Sequence, residues 1–332
     1  MGAVYVISEY GKLSKNGGHL VFSNKDGSSR PVLMHQTRLL VVGSHVSITG
    51  EAMGELFKNT IPVLFMGKGG HFNASIQYDA AKNVNIRHSQ YRLMDDEQKS
   101  LSMARQIVCG KIKNQLAYMH RIARRKCPSG QADEPIDAVK LLLEQAEKCT
   151  DLNALRGIEG MAAKHYFSVL RFNISPEWAE FPCRSKHPPK TNVNAVLSFL
   201  YALLACRVQC AIEAEGLDSM AGTLHSTQYG RPSLVCDLME EFRSCIADST
   251  CCTLFNKGML SVQDFCEKDL NGAVYMTEEG RFKIINAFED KLRTVISCEN
   301  FEGTYEQLIF EQAYIYRQAV ENELAYVPFA CK

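Results

Sequence analysis

The chain has 332 residues, 46% of them hydrophobic and 22% charged, with 37 basic side chains against 37 acidic ones. Such proportions belong to a globular protein with a sizeable core, folded as one large or two ordinary domains. No run of about eighteen apolar residues is present to cross a membrane, and a net charge of zero points to no partner by itself. The N-terminus, Met1 to Ile7, lacks the basic start and small-residue cleavage site of a signal peptide and reads as a first strand. Gly2 does not make a myristoylation motif, because Val6 stands where Ser or Thr is needed. Thirteen cysteines form no C-x-x-C pair; the nearest groupings are Cys206 with Cys210 and Cys251 with Cys252. Reduced, mostly buried thiols in a cytoplasm are expected, without a structural zinc.

Residues 1 to about 80 read as β structure. Short apolar or alternating runs at Val4–Ile7, His19–Phe22, Pro31–Met34, Leu39–Val42, Pro62–Met66 and Phe72–Ile76 are separated by turn clusters such as Lys15–Gly18 and Asp26–Ser29. A short helix is expected over Gly50–Lys58. The sequence Gly67-Lys68-Gly69-Gly70 lacks the spacing of a phosphate loop and reads as a hairpin turn. Residues 81–90 are expected to link this domain to a helical one spanning 91–332. There the period changes to helical: Glu97–Arg125, Asp137–Lys148, a helix capped by Thr150 or Asp151 and running to about Phe172, Val193–Glu215, a short helix near 249–257, then Thr277–Ser297 and Thr304–Glu323. The segment 173–192 is irregular and proline-rich. The expected class is α+β: a small N-terminal β-sheet domain and a larger all-α C-terminal catalytic domain.

Three basic clusters interrupt the neutral balance. Arg121, Arg124, Arg125 and Lys126 end one helix; Arg184, Lys186, His187 and Lys190 lie close together; Arg87, His88 and Arg92 form a third. Each suits phosphate contacts along one face, and each is equally what a solvated helix end displays.

Two stretches carry chemistry. In His225-Ser226-Thr227-Gln228-Tyr229-Gly230-Arg231-Pro232-Ser233-Leu234-Val235-Cys236-Asp237-Leu238-Met239-Glu240-Glu241-Phe242-Arg243, a polar loop becomes a helix with Pro232 at its first position. Leu234, Val235, Leu238 and Phe242 form an apolar stripe, and at about 100° per residue Asp237, Glu240 and Glu241 fall on the opposite side. Asp237 and Glu240 are neighbours there, so a histidine and two acids stand within reach of one cation; a solvated acidic face is the plainer alternative. The second stretch, Leu155-Arg156-Gly157-Ile158-Glu159-Gly160-Met161-Ala162-Ala163-Lys164-His165-Tyr166-Phe167, sets Glu159 among small residues. Glycine costs about 1 kcal/mol against alanine inside a helix, so a close helix crossing is expected there. A carboxylate at a crossing needs a partner, either a base such as Arg156 or a metal.

The pattern R-G-I-E-G-x-A-A-K-x-Y-F, followed 66 residues after its glutamate by H-x5-R-P-S-L-V-x-D-L-M-E-E-F-R, closely resembles the CRISPR-associated integrase of spacer acquisition, the Cas-one family. The intervening Pro188–Tyr201 is similar to a third stretch of that family. The resemblance implies a Mg²⁺ or Mn²⁺ held by Glu159, His225 and Glu240, with Asp237 supporting them and Glu241 a solvated or salt-bridged neighbour. Two carboxylates and an imidazole, without sulfur, suit such cations. It further implies insertion of short DNA fragments into a CRISPR array by 3′-OH attack on a phosphodiester, a homodimer formed through the β-domain, a Cas-two partner protein and a prokaryotic cytoplasm. The flanking Lys164, Arg184, Lys186, Lys190, Arg231 and Arg243 are candidate DNA contacts, and Tyr166 and Tyr229 candidate base-stacking rings. A transposon-type integrase, a branched-DNA nuclease outside CRISPR, and a non-catalytic DNA-binding scaffold are the competing readings.

Overall fold

A computed structural model describes residues 2–7, 10–67, 72–76, 84–128, 130–185, 188–225, 228–266, 272–298 and 301–331. The chain divides into two compact units, Met1–Lys82 and Asn83–Lys332.

The first unit holds two four-stranded sheets. One is ordered β1 (Gly2–Val6), β5 (Thr37–Gly43), β7 (Val63–Met66) and β8 (Phe72–Ile76); the other is β4 (Ser29–Val32), β3 (His19–Asn24), β2 (Gly11–Asn16) and β6 (Val46–Ile48). Central β5 runs parallel to β1 and β7, and its Leu39, Leu40, Val41 and Val42 are all buried. That is why it is a continuous apolar run rather than an alternating one. Helix α1 (Gly50–Lys58) is capped by the Thr49 side chain and adds Ala52 and Leu56 to the same core as Leu13, Leu20 and Val63. β7 and β8 pair antiparallel, as a hairpin requires; Lys68 to Gly70 of the expected turn lie outside the described residues. Strands β2 and β6 are missing from the sequence reading. In β2 only Leu13 is buried, so a single apolar residue carries its inward face.

Among its described residues the second unit is mainly helical, with a hairpin of β9 (Val295–Cys298) and β10 (Phe301–Thr304) and an isolated antiparallel bridge between Phe265 and Met276. Its helices are α2 (Val84–Asp95), α3 (Glu97–Arg125), α4 (Asp133–Glu147), α5 (Leu152–Leu170), α6 (Asn192–Ala214), α7 (Ser233–Met239), α8 (Ser249–Asn256), α9 (Glu278–Leu292) and α10 (Tyr305–Glu321). The α+β class holds. The two units divide between Lys82 and Asn83, inside the expected linker 81–90, and α2 begins at Val84 and buries Ile86 and Gln90. Gln90 donates to the carbonyls of Asp218 and Ala221, 2.8 Å each, which a polarity pattern does not reveal. α4 starts a turn earlier than expected. α9 stops at Leu292, and the next residues form β9, where Val295 is exposed.

α3, α4 and α5 pack together, while α6 packs against α7 and α10. α6 is long and apolar enough to cross a bilayer, but 78% of its most apolar window is buried inside the protein, so it is a core helix. All thirteen cysteines are free thiols.

Candidate active site

α5 begins where Asp151 caps it, its side chain accepting from the amide of Ala154 at 2.7 Å. Glu159 follows two turns in, its side chain 24% exposed. The close crossing expected at its glycines is absent. A Cβ at Gly157 or Gly160 would meet nothing within 4 Å, and both residues are exposed. The small residues leave a bare surface beside Glu159 instead of admitting another backbone.

The loop carrying His225 is fixed from two sides. Arg156, expected as a partner for Glu159, instead donates from Nε to the Leu224 carbonyl at 2.7 Å, tying α5 to this loop. Asp237, fully buried on α7, accepts from the backbone amides of Thr223 (2.7 Å), Leu224 (2.9 Å) and His225 (3.0 Å). Its Oδ1 also lies 2.7 Å from His225 Nδ1. Four interactions saturate the carboxylate, which therefore positions the imidazole and has no lone pair spare for a metal. With an Nδ1–H directed at Asp237, the ring turns Nε2 toward Glu240 Oε1, 3.9 Å away. The seat needs Gly222: a Cβ there would stand 2.6 Å from Asp237 Oδ2 and from the Ser233 carbonyl carbon.

The expected helix to Arg243 ends at Met239, with Pro232 as its N-cap rather than its first residue. Glu240 to Phe242 make a turn, and Arg243–Asp248 wind as a π-helical segment. π-Helical segments often mark functional sites, because they re-aim side chains within a helix. Here Arg243 Nε is brought to 3.0 Å from Glu240 Oε2, with its guanidinium 4.6 Å over the Tyr201 ring.

Lys111 closes the cluster. Its ammonium hydrogen-bonds Glu159 Oε1 and lies 2.6 Å from Glu240 Oε2. It was missed from sequence, although the signal was present. Lys111 stands three residues after Val108 and four after Ile107, inside the apolar stripe of α3. A lysine in a buried stripe has a buried anion to meet. Burial alone would push the Lys111 pKa down, but Glu240 and Glu159 outweigh it and raise it. For Glu240 burial pushes the other way, and Arg243 and Lys111 outweigh it, holding the carboxyl below its ordinary range.

Glu159 on α5 and Glu240 at the end of α7 thus converge on the Lys111 ammonium, and His225 on its loop faces Glu240. No trio of His, Cys, Asp or Glu among the described residues stands at metal-holding spacing. The donors nevertheless fit a hard divalent cation in kind: two carboxylates and an imidazole nitrogen. Glu240 Oε2 is taken up by the Lys111 ammonium at 2.6 Å and Arg243 Nε at 3.0 Å, while its Oε1 faces His225.

Glu241 is neither solvated nor salt-bridged. It is fully buried and held by neutral donors, the Tyr326 hydroxyl at 2.5 Å and the Phe329 amide at 2.8 Å. Burial, only partly offset by these bonds, pushes its carboxyl up to about 8. Of the candidate DNA contacts, Lys164 and Lys190 are exposed, Arg231 is half-buried and Lys186 lies outside the described residues. Arg184 is occupied inside the protein, with Nη1 donating to Asn194 Oδ1 and Nη2 to Ser198 Oγ, 3.0 Å each. Arg243 belongs to the cluster itself. Tyr166 is a core residue whose hydroxyl donates to Asp248 Oδ2 at 2.7 Å, whereas Tyr229 is fully exposed. Farther along α3, Arg121, Arg125 and Lys126 join Lys257 and Lys291 around a cavity of about 330 Å³ that no described carboxylate lines.

A β-domain joined to a helical unit is the architecture of the Cas1 endonuclease class, to which the sequence comparisons assign the chain. The model of the family described as CRISPR associated protein Cas1 matches residues 4–290, and the chain belongs to that family. It is 32% identical to CRISPR-associated endonuclease Cas1 3 of Thermus thermophilus, over 100% of this chain and 98% of the relative. It is 35% identical to CRISPR-associated endonuclease Cas1 of Leptospira interrogans, over 74% and 100%. The fold is shared with a Cas1 protein from Thermotoga maritima (TM-score 0.85, 21% identity, 100% of both chains). It is also shared with a casposase bound to its integration product (TM-score 0.90, 20% identity, 100% of this chain and 95% of that one).

Proposed function

We propose that this chain is a CRISPR adaptation integrase and DNA endonuclease, which joins the 3′-OH of a short DNA fragment to a phosphodiester of the CRISPR array. The convergence of Glu159, His225 and Glu240 carries the reading, with family membership behind it. In this reading those three side chains hold Mg²⁺ or Mn²⁺. A cation held there would supply charge neutralisation at the attacked phosphate and help orient the nucleophile and leaving group. Asp237 fixes the His225 ring so that Nε2 faces the cation. Arg156 keeps the His225 loop against α5. Arg243 is held rigidly over Tyr201 and adds fixed positive charge where the pentavalent phosphorus gains negative charge. The bare surface around Gly157 and Gly160 gives the DNA backbone access to Glu159. Exposed Lys164 and Lys190, half-buried Arg231 and the cation-lined cavity at the end of α3 are suited to phosphates away from the reacting one. The chain works in a prokaryotic cytoplasm as a homodimer through the β-domain, together with a small Cas2 partner.

The test mixes the protein, its partner, Mn²⁺ or Mg²⁺, a fragment with free 3′-OH ends and a plasmid carrying the array. Strand transfer is expected from the parent and from none of Glu159→Ala, His225→Ala or Glu240→Ala. Parental transfer by these variants refutes the site, and transfer into plasmids without an array refutes the CRISPR assignment.

A further inference from the structure

We propose that Lys111 is a built-in competitor for the divalent cation: its ammonium holds Glu159 and Glu240 together and lowers the affinity of the site for that cation. The inference rests on the reading of Glu159, His225 and Glu240 as a metal site.

The same atoms are at issue. Lys111 Nζ engages Glu159 Oε1 and Glu240 Oε2, the two carboxylates that a divalent cation needs. Arg243 is a second cation on Glu240 Oε2. Two carboxylates are thus matched by two permanent positive charges before any metal arrives. Lys111 is 6% exposed and Glu240 4%, so little water screens the competition. A divalent ion between Glu159 and Glu240 either displaces the ammonium or tolerates a like charge within contact distance. Lys111 is the cation suited to give way. Its charge sits on a four-carbon stem, while the Arg243 guanidinium is a planar fork laid over the Tyr201 ring. Phosphate oxygens reaching the site add negative charge and relieve the repulsion. The cation then loads firmly only together with DNA, which restrains cleavage by a protein holding metal alone.

The experiment titrates full-length protein with Mn²⁺, reading free ion by electron paramagnetic resonance, and repeats the titration with a DNA fragment present. Lys111→Met and Lys111→Gln remove the charge, Lys111→Arg keeps it, and Glu240→Gln removes a ligand. Without DNA, Lys111→Met and Lys111→Gln are expected to bind Mn²⁺ about tenfold tighter than the parent or better, and Lys111→Arg within about threefold. DNA is expected to tighten Mn²⁺ binding more in the parent than in the two neutral variants. Thermal unfolding should show Lys111→Met less stable than the parent in chelator and raised further by Mn²⁺. Having both neutral variants keeps the test decisive if one fails to fold. Unchanged or weaker Mn²⁺ binding by the neutral variants, with binding lost in Glu240→Gln, overturns the role of Lys111 alone. Parental Mn²⁺ binding by Glu240→Gln overturns the metal-site reading, and the role of Lys111 with it.

Discussion

Glu240 and Glu241 are adjacent in the chain and both buried, yet they serve opposite sides of one turn. Glu240 faces two cations, Lys111 and Arg243, which hold it ionised. Glu241 faces the C-terminal tail and meets only neutral groups, so burial pushes its carboxyl up to about 8. The Tyr326 hydroxyl lies near two acceptors, Glu241 Oε1 at 2.5 Å and Gln312 Oε1 at 3.0 Å, but has one proton. Asn114 completes the tail's seat: its Nδ2 donates to the carbonyls of Glu241 and Phe329, 2.9 Å each, and its Oδ1 accepts from the Cys331 amide. One carboxylate is therefore kept charged, while its neighbour anchors the turn that carries both. Burial decides neither role; the charge of the surrounding groups does.

The two glutamates should separate most sharply in activity. Glu240→Gln is expected to lower strand transfer by more than about 100-fold, while Glu241→Gln, which supplies the neutral form already favoured, stays within a few-fold. Comparable losses in both would erase the distinction. Asp237→Asn comes next, with a loss of about 10- to 100-fold, since an amide cannot replace the carboxylate toward three backbone amides and His225. Metal-dependent transfer rates check it. On the tail side the expected effect is on stability. Gly110→Ala places a Cβ 2.5 Å from Pro328 Cβ and should cost about 1–3 kcal/mol in denaturant unfolding. Loss of activity at unchanged stability would place the tail in the chemistry instead.

Asp248 extends the contrast to pH. It accepts from the Tyr166 and Tyr201 hydroxyls, 2.7 Å each, and burial pushes it up to about 6 against an ordinary 3.8. Between those values the unfolded chain releases the proton while the folded one retains it. Stability should therefore fall as pH rises from about 4 to about 6, by about 1.4 kcal/mol per unit for this group. Asp248→Asn should remove that part of the slope in thermal unfolding across this range. The smallest effect is at the cavity ending α3: Arg125→Gln and Lys257→Gln should each reduce the salt slope of DNA binding by about 0.9 if each contacts one phosphate. An unchanged slope removes the cavity from the DNA path.

The sequence was most informative where chemistry dictates residue type. Glu159, His225, Asp237 and Glu240 stand in dense motifs, and three-residue spacing already made Asp237 and Glu240 neighbours. It was silent where a partner comes from far along the chain. Lys111 precedes Glu159 by 48 positions, and Tyr326 follows Glu241 by 85. Glu241 was misjudged because an acid opposite an apolar stripe reads as solvated, and nothing local announces a tail that will cover it. The π-helical segment after Phe242 escaped for a related reason: its period differs from 3.6 over only six residues. In the β-domain, strands with several apolar residues were legible and β2, resting on Leu13, was not.

The most direct measurement is single-turnover strand transfer titrated with Mn²⁺, run side by side on the parent, Glu240→Gln and Glu241→Gln. The expected result is a saturable Mn²⁺ dependence in the parent and Glu241→Gln, and none in Glu240→Gln. Transfer that needs no divalent ion, or that persists in Glu240→Gln at the parental rate, would contradict the assignment of Glu159, His225 and Glu240 as one metal-dependent site.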